Sequence, residues 1–552
     1  MSDTSAAARA AATGGGIVLA TLAAGQFVMT LDTSVMNVSI ATVAKDVDTT
    51  VTGIQTAITL YTLVMAALMI TGGKVGQILG RKKAFAIGCV IYAAGSFTTA
   101  ISQSLTVLII GWSFLEGIGA ALIMPAIVAL VAANFDRAER PRAYGLVASA
   151  SAIAVAAGPL IGGLFTTYLS WRLVFVSEVV MVAGILLLAR RMYDAPPEGG
   201  VKLDFVGTVL SALGLTLVVF GILKAGTWGF VQPKPDAPEW LGLSPVVWLV
   251  LAGALVVWVF FQWEWRVIGR GGVPLVDPAM LRISQFRAGL TAFFFQYLVQ
   301  MGLFFVVPLY LSVALGLSAI DTGVRLLPLS VTLLLAAAGI PKVMPNVSPR
   351  RVVQAGFLLL FVGIATLIGG LDQGAGAEIV TVPMLLAGLG IGALASQLGS
   401  VTVSAVPDEQ SGEVGGVQNT LTNLGASIGT ALAGAVLIAS LTSSFLTGIA
   451  DNPAVPDNLS SKAQVELVSG VPFISDADLA HALDDAGVSG KTADAIVDEN
   501  ESARLASLRS SLSLLAVIAL AALFFTRRIP MVQPAEQAAA AGAPTPDEER
   551  TA

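Results

Sequence analysis

Fourteen apolar segments follow one another along the chain, and they constrain its fold more than any other feature. An α-helix needs about 20 apolar residues to cross the hydrocarbon core of a bilayer, and a backbone in that core must satisfy its own hydrogen bonds. We therefore predict fourteen membrane-spanning helices, near residues 16–42, 53–73, 84–102, 105–133, 144–167, 171–189, 204–224, 244–263, 288–314, 321–340, 351–371, 378–405, 414–445 and 511–526.

Composition agrees with an integral membrane protein. Charged residues make up 12% of the 552 residues and apolar residues 55%, whereas soluble domains carry about 25% charged residues. The net charge is −6 and the basic residues are scattered, so the sequence predicts no nucleic-acid partner. The single cysteine, Cys89, and the single histidine, His481, exclude an intrachain disulfide and a Cys/His metal site.

Basic residues predict the orientation of the chain. About 21 of the 30 Lys and Arg residues flank the spans on one side, which includes the turn 72–83, reading GGKVGQILGRKK. Because basic loops remain in the cytoplasm, both termini are predicted to be cytoplasmic in a multi-pass protein of the cell membrane. Residues 1–15 and 527–552 are then cytoplasmic tails.

The polar segment 446–510 is predicted to lie outside the cell. It carries eleven acidic and four basic residues. Ser475 and the acids after it predict a helix start, Gly487 predicts its end, and a second helix is predicted from Thr492 into the last span. Residues 487–492, GVSGKT, lack the first glycine of a phosphate-binding loop and follow no strand. No cofactor is predicted, and an ion gradient is therefore the expected energy source. The sequence leaves open whether segment 446–510 binds an extracytoplasmic partner.

Three acidic residues interrupt the apolar spans. Asp32 lies past the middle of the first span, Glu116 near the middle of the fourth, and Glu178 in the sixth. An ionisable side chain at such depth costs about 2.5 kcal/mol or more unless it faces water or a partner. Because burial favours the neutral form, such a carboxyl can exchange a proton near neutral pH. We predict that these acids line a cavity and couple transport to protons.

Each acid also has a structural alternative. Asp32 could hydrogen-bond with Asn37 or with a neighbouring helix, and a protonated Glu116 could tie helices together. Glu178 lies close after Trp171 and Arg172, so that a contact at the outer interface is the other interpretation of this residue.

Small residues mark two other spans. The fifth span contains Gly158, Pro159, Gly162 and Gly163, which allow close packing and a bend. The span from residue 412 has glycines four apart, in a corresponding position of a second half, which predicts a paired hinge between repeats. Each half would hold six helices, over residues 16–190 and 288–526, with two additional helices over 204–263.

The ninth span is rich in aromatic, amide and thioether groups. Such surfaces tolerate varied apolar ligands, and we predict that they line the same cavity; the alternative is that the aromatic rings face lipid. The residues concerned are Gln296, Tyr297, Gln300 and Met301.

These motifs together resemble the major facilitator superfamily, and specifically its fourteen-helix drug/proton antiporter family, over nearly the whole chain. Residues 31–40, LDTSVMNVSI, resemble a first-helix motif whose acid, here Asp32, is implicated in coupling. Residues 170–175, SWRLVF, resemble the opening of the family's sixth helix. The cytoplasmic gating motif is matched by Gly73, Gly80, Arg81 and Lys82, and the fifth-helix motif of exporters by Gly158, Pro159, Gly162 and Gly163.

The chain also departs from the family pattern. Gln77 stands where the gating motif usually carries an acid, and Ile78 where it carries a base. In the fourth span the usual arginine is missing near Trp112 and Ser113, and Glu116 replaces a glutamine. The standard proton relay is therefore altered, and we expect Asp32 and Glu116 to act together.

The resemblance implies an all-α membrane protein with the major facilitator fold, two six-helix bundles plus two extra helices. It implies a proton-coupled antiporter that exports hydrophobic, preferentially cationic, drugs or toxic compounds by alternating access. Its partners would be a small-molecule substrate, protons and the lipid bilayer. Two alternatives stay open: an exporter of one endogenous metabolite or lipid, and a membrane sensor that no longer transports. No pair of a nucleophile and a base accompanies the carboxylates, so the sequence does not indicate an enzyme.

Overall fold

The computed structural model describes residues 4–135, 140–193, 203–234, 237–344, 346–406, 411–467 and 471–532. Within these ranges regular structure is helical apart from one isolated bridge between Trp240 and Leu243. In chain order the helices are α1 (Thr4–Asp46), α2 (Val51–Leu79), α3 (Arg81–Ala100), α4 (Leu105–Leu108), α5 (Gly117–Asn134), α6 (Arg140–Tyr168), α7 (Arg172–Ala189), α8 (Phe205–Trp228), α9 (Pro245–Gly269), α10 (Ser284–Leu309), α11 (Ala319–Val343), α12 (Pro349–Gly370), α13 (Thr381–Val403), α14 (Ser411–Asp451), α15 (Asp457–Glu466), α16 (Asp476–Asp485) and α17 (Lys491–Phe525).

The number of membrane spans agrees with the prediction. Among the described residues, 13 helices are long and apolar enough to cross a membrane, or 14 when the bent α6 counts as one span. Helices α4 and α5 are joined by a π-helical turn, Ile109–Glu116, and form a single span with it. The prediction of an all-α membrane protein is confirmed.

Several helices are longer than the apolar segments that predicted them. Helix α1 begins at Thr4, so most of the predicted N-terminal tail is helical, and α17 begins at Lys491, in agreement with the helix predicted from Thr492 into the last span. Hydrophobicity marks only the part of a helix within lipid, whereas the alanine-rich and polar flanks continue the helix because their residues favour it. Residues 533–552 of the predicted C-terminal tail lie outside the described residues.

The spans pack as two halves with one helix pair beside them. Helices α1–α7 pack against one another, as do α10–α14 and α17, while α2 meets α14 and α6 meets α11 across the two seams between the halves. Helices α8 and α9 pack on each other, and α8 also lies against α2 and α14. Only 17% of the most apolar stretch of α9 is buried inside the protein, against 72% for α2, so α9 is peripheral.

Small residues close the seam between α6 and α11 where the C-terminal part of α6 meets the start of α11. A Cβ added at Gly163 would lie 2.6 Å from the carbonyl oxygen of Ala319, and one added at Gly323 would overlap the carbonyl oxygen of Pro159. The Ile320 amide also donates to the Thr167 hydroxyl across this seam, at 3.1 Å. Glycine lets the two backbones touch.

Segment 446–510, called the outer segment after its predicted location, contains the predicted helices. Ser475 caps α16 by accepting a hydrogen bond from the Asp478 amide at 3.1 Å, and Gly487 after the helix has a φ of 73°, which favours glycine. Asp478 also pairs with Lys45 at the end of α1, at 3.2 Å. Asp476 pairs with Arg504 of α17. The first turn of α16 therefore bridges the two halves.

Candidate functional site

The three predicted acids converge inside the first half. Helix α1 carries Asp32, the π-helical turn ends at Glu116, and α7 carries Glu178. One carboxylate oxygen from each residue lies within 4.8 Å of the other two. All three side chains are 0% exposed. Acids that are far apart in the sequence thus form one buried acidic cluster.

Local backbone features allow this convergence. The π-helical turn widens the fourth span just before Glu116, and such turns are frequent at functional sites. Helix α3 approaches the turn closely, because a Cβ added at Gly95 would lie 2.6 Å from Glu116 Cγ. A glycine at this position is therefore required by packing.

The indole of Trp112 holds the carboxylate of Asp32. Its Nε1 donates to Oδ1 and to Oδ2, at 2.9 Å in both cases. Trp112 is fully buried, and its ring stacks on that of Tyr61 with centroids 5.0 Å apart and planes 7° apart. The cluster is thus connected to helix α2, which carries Tyr61.

Helix α3 supplies hydroxyl donors to the two glutamates. Tyr92 and Ser96 donate to Glu178 Oε2 at 3.3 and 3.2 Å, and Thr99 donates to Glu116 Oε1 at 3.1 Å. The second oxygen of each glutamate is buried without a hydrogen-bond partner among the described residues. Both glutamates can therefore accept or share a proton.

The charge arrangement favours proton binding. Every hydrogen-bond donor that the structure directs at the cluster is a neutral group, and three carboxylates so close together cannot all be ionised. Their protonation is then shared among them. The oxygens are also spaced closely enough to ligate one hard cation, a role that carboxylates can fill.

Of the structural alternatives for Asp32, the contact with Asn37 does not occur, whereas a hydrogen bond with a neighbouring helix does. Asn37 donates to the Thr33 carbonyl of its own helix at 2.7 Å, and Asp32 accepts from Trp112 instead. The outer residues Trp171 and Arg172 both donate to Asp46, each at 2.9 Å, and so leave Glu178 free to join the cluster.

Sequence reasoning missed the neutral partners of the acids. Tyr92, Ser96 and Thr99 are spaced four and three residues apart in an apolar span, which places polar groups on one helix face; this signal was available in the sequence. Trp112 and Tyr61 gave no comparable signal, because aromatic residues in a span commonly pack against other helices or lipid.

The residues of the ninth span do not form one surface. Gln296 and Gln300 are buried at 2% and 7% exposure, and their amide oxygens have no hydrogen-bond partner among the described residues. Tyr297 packs with Leu523 against an apolar cluster of the second half, and Met301, one helical turn further, is half-buried. The two glutamines are the better candidates for polar contact with a ligand.

The predicted gating motif forms a tight turn that is hydrogen-bonded to neighbouring helices. Gly80 has a φ of 96° between α2 and α3, a conformation that favours glycine. Arg81 donates to a carbonyl of α5 at 3.3 Å. Lys82 donates to the carbonyls of Arg190 and Met192 after α7, at 2.9 and 2.8 Å. These two cations join the turn to two other helices of the first half.

The other gating positions lie on the last turns of α2. A Cβ added at Gly73 would lie 3.6 Å from Pro125 of α5, an ordinary packing distance. Gln77 is half-buried.

The glycines of α6 fit it closely against its neighbours. A Cβ at Gly158 would overlap the Ser34 side chain, and one at Gly162 would lie 3.0 Å from the Cα of Val35. Both contacts are with α1, whereas Gly163 meets α11. This helix is therefore packed against the acid-bearing helix and against the second half at once.

Pro159 interrupts the hydrogen bonds of α6. It has no N–H for the carbonyl of Val155, four residues earlier, and the Ser330 hydroxyl of α11 donates to that carbonyl instead, at 3.3 Å. The helix bends by 41° between Ser149–Val155 and Ala157–Tyr168.

Glycines of the second glycine-rich helix, like Gly158 and Gly162 of α6, pack against the first helix of their own half. Cβ atoms at Gly425 and Gly429 would overlap the carbonyls of Phe294 and Leu298, so these glycines pack α14 on α10 of the same half. That this helix forms a paired hinge with α6 stays a prediction.

Comparisons with known proteins give one consistent result. A family model described as the Major Facilitator Superfamily matches residues 22–430. The chain is 29% identical over 454 residues to a probable actinorhodin transporter of Streptomyces coelicolor, covering 80% of this chain and 74% of that one. It is 26% identical to the multidrug efflux pump LfrA of Mycolicibacterium smegmatis, covering 83% and 87%.

Solved structures share the fold. A bacterial homologue of the human lysosomal transporter Spinster, in an inward-facing and unoccupied conformation, superposes with a TM-score of 0.58 at 14% identity, covering 94% of this chain and 98% of that one. At this identity the likeness concerns the fold alone.

Proposed function

The chain belongs to the Major Facilitator Superfamily, and from this premise we propose that it is a proton-coupled antiporter that exports hydrophobic, preferentially cationic, drugs or toxic compounds. The family assignment made from motifs is confirmed. Because the superfamily consists of transporters, the chain is a transporter rather than an enzyme. It acts on small molecules in a multi-span membrane setting.

The observation that carries proton coupling is the buried acidic cluster. Asp32, Glu116 and Glu178 lie within 4.8 Å of one another with neutral donors around them. Such a group changes its net charge by binding protons, and buried ionisable residues in membrane spans commonly mark proton relays. The negative cluster attracts a cation from the cytoplasmic side, and protonation from outside weakens that attraction.

The packing of the halves supports alternating access. The cluster lies within the first half and is fully buried, so we propose that it acts on a ligand between the halves through its charge and through helix movement. Gln296 and Gln300 would offer polar contacts there, with Tyr297 and Met301 behind them. Helix α6 contacts both α1 and α11 through glycines, which suits a joint that transmits movement to the seam.

A second candidate is the export of one endogenous product. The observation in its favour is that a relative is named for a single compound, actinorhodin, whereas another is named a multidrug pump. The two functions differ in substrate range. A panel of unrelated lipophilic cations and neutral antibiotics distinguishes them.

We also propose the orientation predicted from the basic residues. Both termini would be cytoplasmic, with segment 446–510 outside the cell membrane. The bundles over 16–190 and 288–526 would move against each other, and the pair over 204–263 would accompany them. Whether segment 446–510 binds an extracytoplasmic partner can be tested by affinity capture.

The experiment measures protons released when a substrate binds. Purified protein in weakly buffered detergent receives ethidium, and a pH indicator follows release. Wild type should release protons as the cation displaces them from the cluster. Asp32→Asn should lose most of this release, because the replaced residue cannot ionise.

Glu264→Gln is the matched control. Glu264 is also 0% exposed in a span, but it lies in α9 and outside the cluster, so its replacement should leave ethidium-induced release unchanged. Equal release from wild type and Asp32→Asn would remove Asp32 from the coupling role. No release from wild type with any compound of the panel would contradict proton coupling.

A further inference from the structure

The indole N–H of Trp112 donates to both carboxylate oxygens of Asp32. The indole nitrogen lies 2.9 Å from each of them. An indole N–H is a donor only. It therefore has no way to accept the proton of a neutral carboxylic acid.

This asymmetry makes the bond sensitive to charge. Hydrogen bonds from a neutral donor to an ionised acceptor are shorter and stronger than those between neutral groups. The shared N–H thus favours the charged carboxylate of Asp32. When Asp32 binds a proton, one of its oxygens becomes a hydroxyl, and the symmetrical bond weakens.

The ring face of the Trp112 indole contacts a helix that forms one of the seams between the halves. Trp112 stacks on Tyr61 of α2, and α2 is hydrogen-bonded to α14 within the two helical turns that precede Tyr61. The Ser427 hydroxyl donates to the Thr59 carbonyl at 2.9 Å, and Gln55 donates to the Thr430 carbonyl at 3.1 Å. Two side chains, Trp112 and Tyr61, therefore connect Asp32 to the seam between α2 and α14.

We propose that Trp112 is a positioning residue that sets the proton affinity of Asp32 and transmits its charge state to α2 through the stack on Tyr61. The inference rests on the proposed coupling role of Asp32 and names the residue that regulates it. The other titratable groups that face Asp32 are Glu116, Glu178, Tyr61 and Tyr92. All of them are retained in the test variants.

The test follows Asp32 without any transport substrate. Infrared difference spectra of the purified protein are recorded over a pH series, and the carboxylic C=O band that Asp32→Asn removes is assigned to Asp32. Trp112→Phe keeps an aromatic ring beside Tyr61 and deletes the donor. The midpoint of the band should rise by about one to two pH units, since a hydrogen bond to a charged group is lost.

Trp171→Phe is the matched control. Trp171 Nε1 also donates to an aspartate of α1, Asp46, at 2.9 Å, but it lies outside the cluster. Its replacement should leave the Asp32 midpoint unchanged. An unchanged midpoint in Trp112→Phe, or an equal shift in Trp171→Phe, would overturn the proposal, as would the absence of any band that depends on Asp32.

The stack is tested by ethidium transport in proteoliposomes. Trp112→Phe should transport with a pH optimum shifted by the same amount, whereas Trp112→Ala, which lacks a ring, should lose transport at every pH. Equal transport by the two variants would contradict transmission through Tyr61. If the Asp32 titration shifts as predicted but wild type moves no ethidium against protons, the proposed function fails while the role of Trp112 in setting the proton affinity stands.

Discussion

At the scale of single residues, Gly95 shows how tightly the acidic cluster is enclosed. Its missing side chain leaves the space that Glu116 occupies. We expect Gly95→Ala to destabilise the protein by about 1–3 kcal/mol, the usual cost of overpacking, and to lower the thermal unfolding temperature in detergent. Gly184→Ala is the control, because no atom lies within 4 Å of a Cβ at Gly184 of α7. Equal unfolding temperatures for the two variants would show that the cluster has room to spare.

At the scale of elements, the contact between α6 and α11 is a tightly packed seam. Gly323 meets the Pro159 carbonyl, with no space for a Cβ. We expect Gly323→Ala to separate the outer ends of the halves and to slow export. Double electron–electron resonance between spin labels at Leu169→Cys and Glu378→Cys should report longer distances.

The control for this seam lies on the same helix. Gly339 of α11 has nothing within 4 Å of an added Cβ, so Gly339→Ala should keep the wild-type distances. The buried Cys89 should take up little spin label. Wild-type chain treated with the same label verifies this. Distances that stay the same in Gly323→Ala would mean that the seam tolerates the added methyl group.

At the scale of the whole molecule, the outer segment joins the ends of the first and last spans. Lys45 pairs with Asp478, and Asp476 with Arg504. The Ser475 hydroxyl and the Lys45 ammonium hold the pKa of Asp478 below its ordinary value. Because the pKa is lowered in the folded protein, the Asp478 carboxylate contributes fully to stability at any pH above its ordinary pKa. This contribution is lost only as the pH falls through the lowered pKa. The contact should therefore persist at an external pH of about 5.

A reversible cross-link tests whether this contact must open. A reducible bifunctional thiol reagent joining Lys45→Cys to Asp478→Cys should stop export, and a reductant should restore it. Either single variant treated with the same reagent is the control. Continued export by the cross-linked protein would show that α16 stays in place during the cycle.

How much of this organisation the sequence could predict depends on the range of the interaction involved. The spans, the cap at Ser475 and the depth of Asp32, Glu116 and Glu178 follow from local hydrophobicity and hydrogen bonding. The convergence of these acids and their pairing with Trp112 depend on how neighbouring helices are rotated, which a single sequence does not encode locally.

The central claim is that the acidic cluster couples protons to drug export, and counter-transport tests it most directly. Proteoliposomes receive a pH gradient, and ethidium movement is followed by fluorescence. The account predicts that ethidium accumulates in the acidic compartment, that an ionophore which collapses the gradient stops it, and that Asp32→Asn abolishes it while Glu264→Gln does not. Ethidium movement that is independent of the pH gradient in wild type would contradict the account.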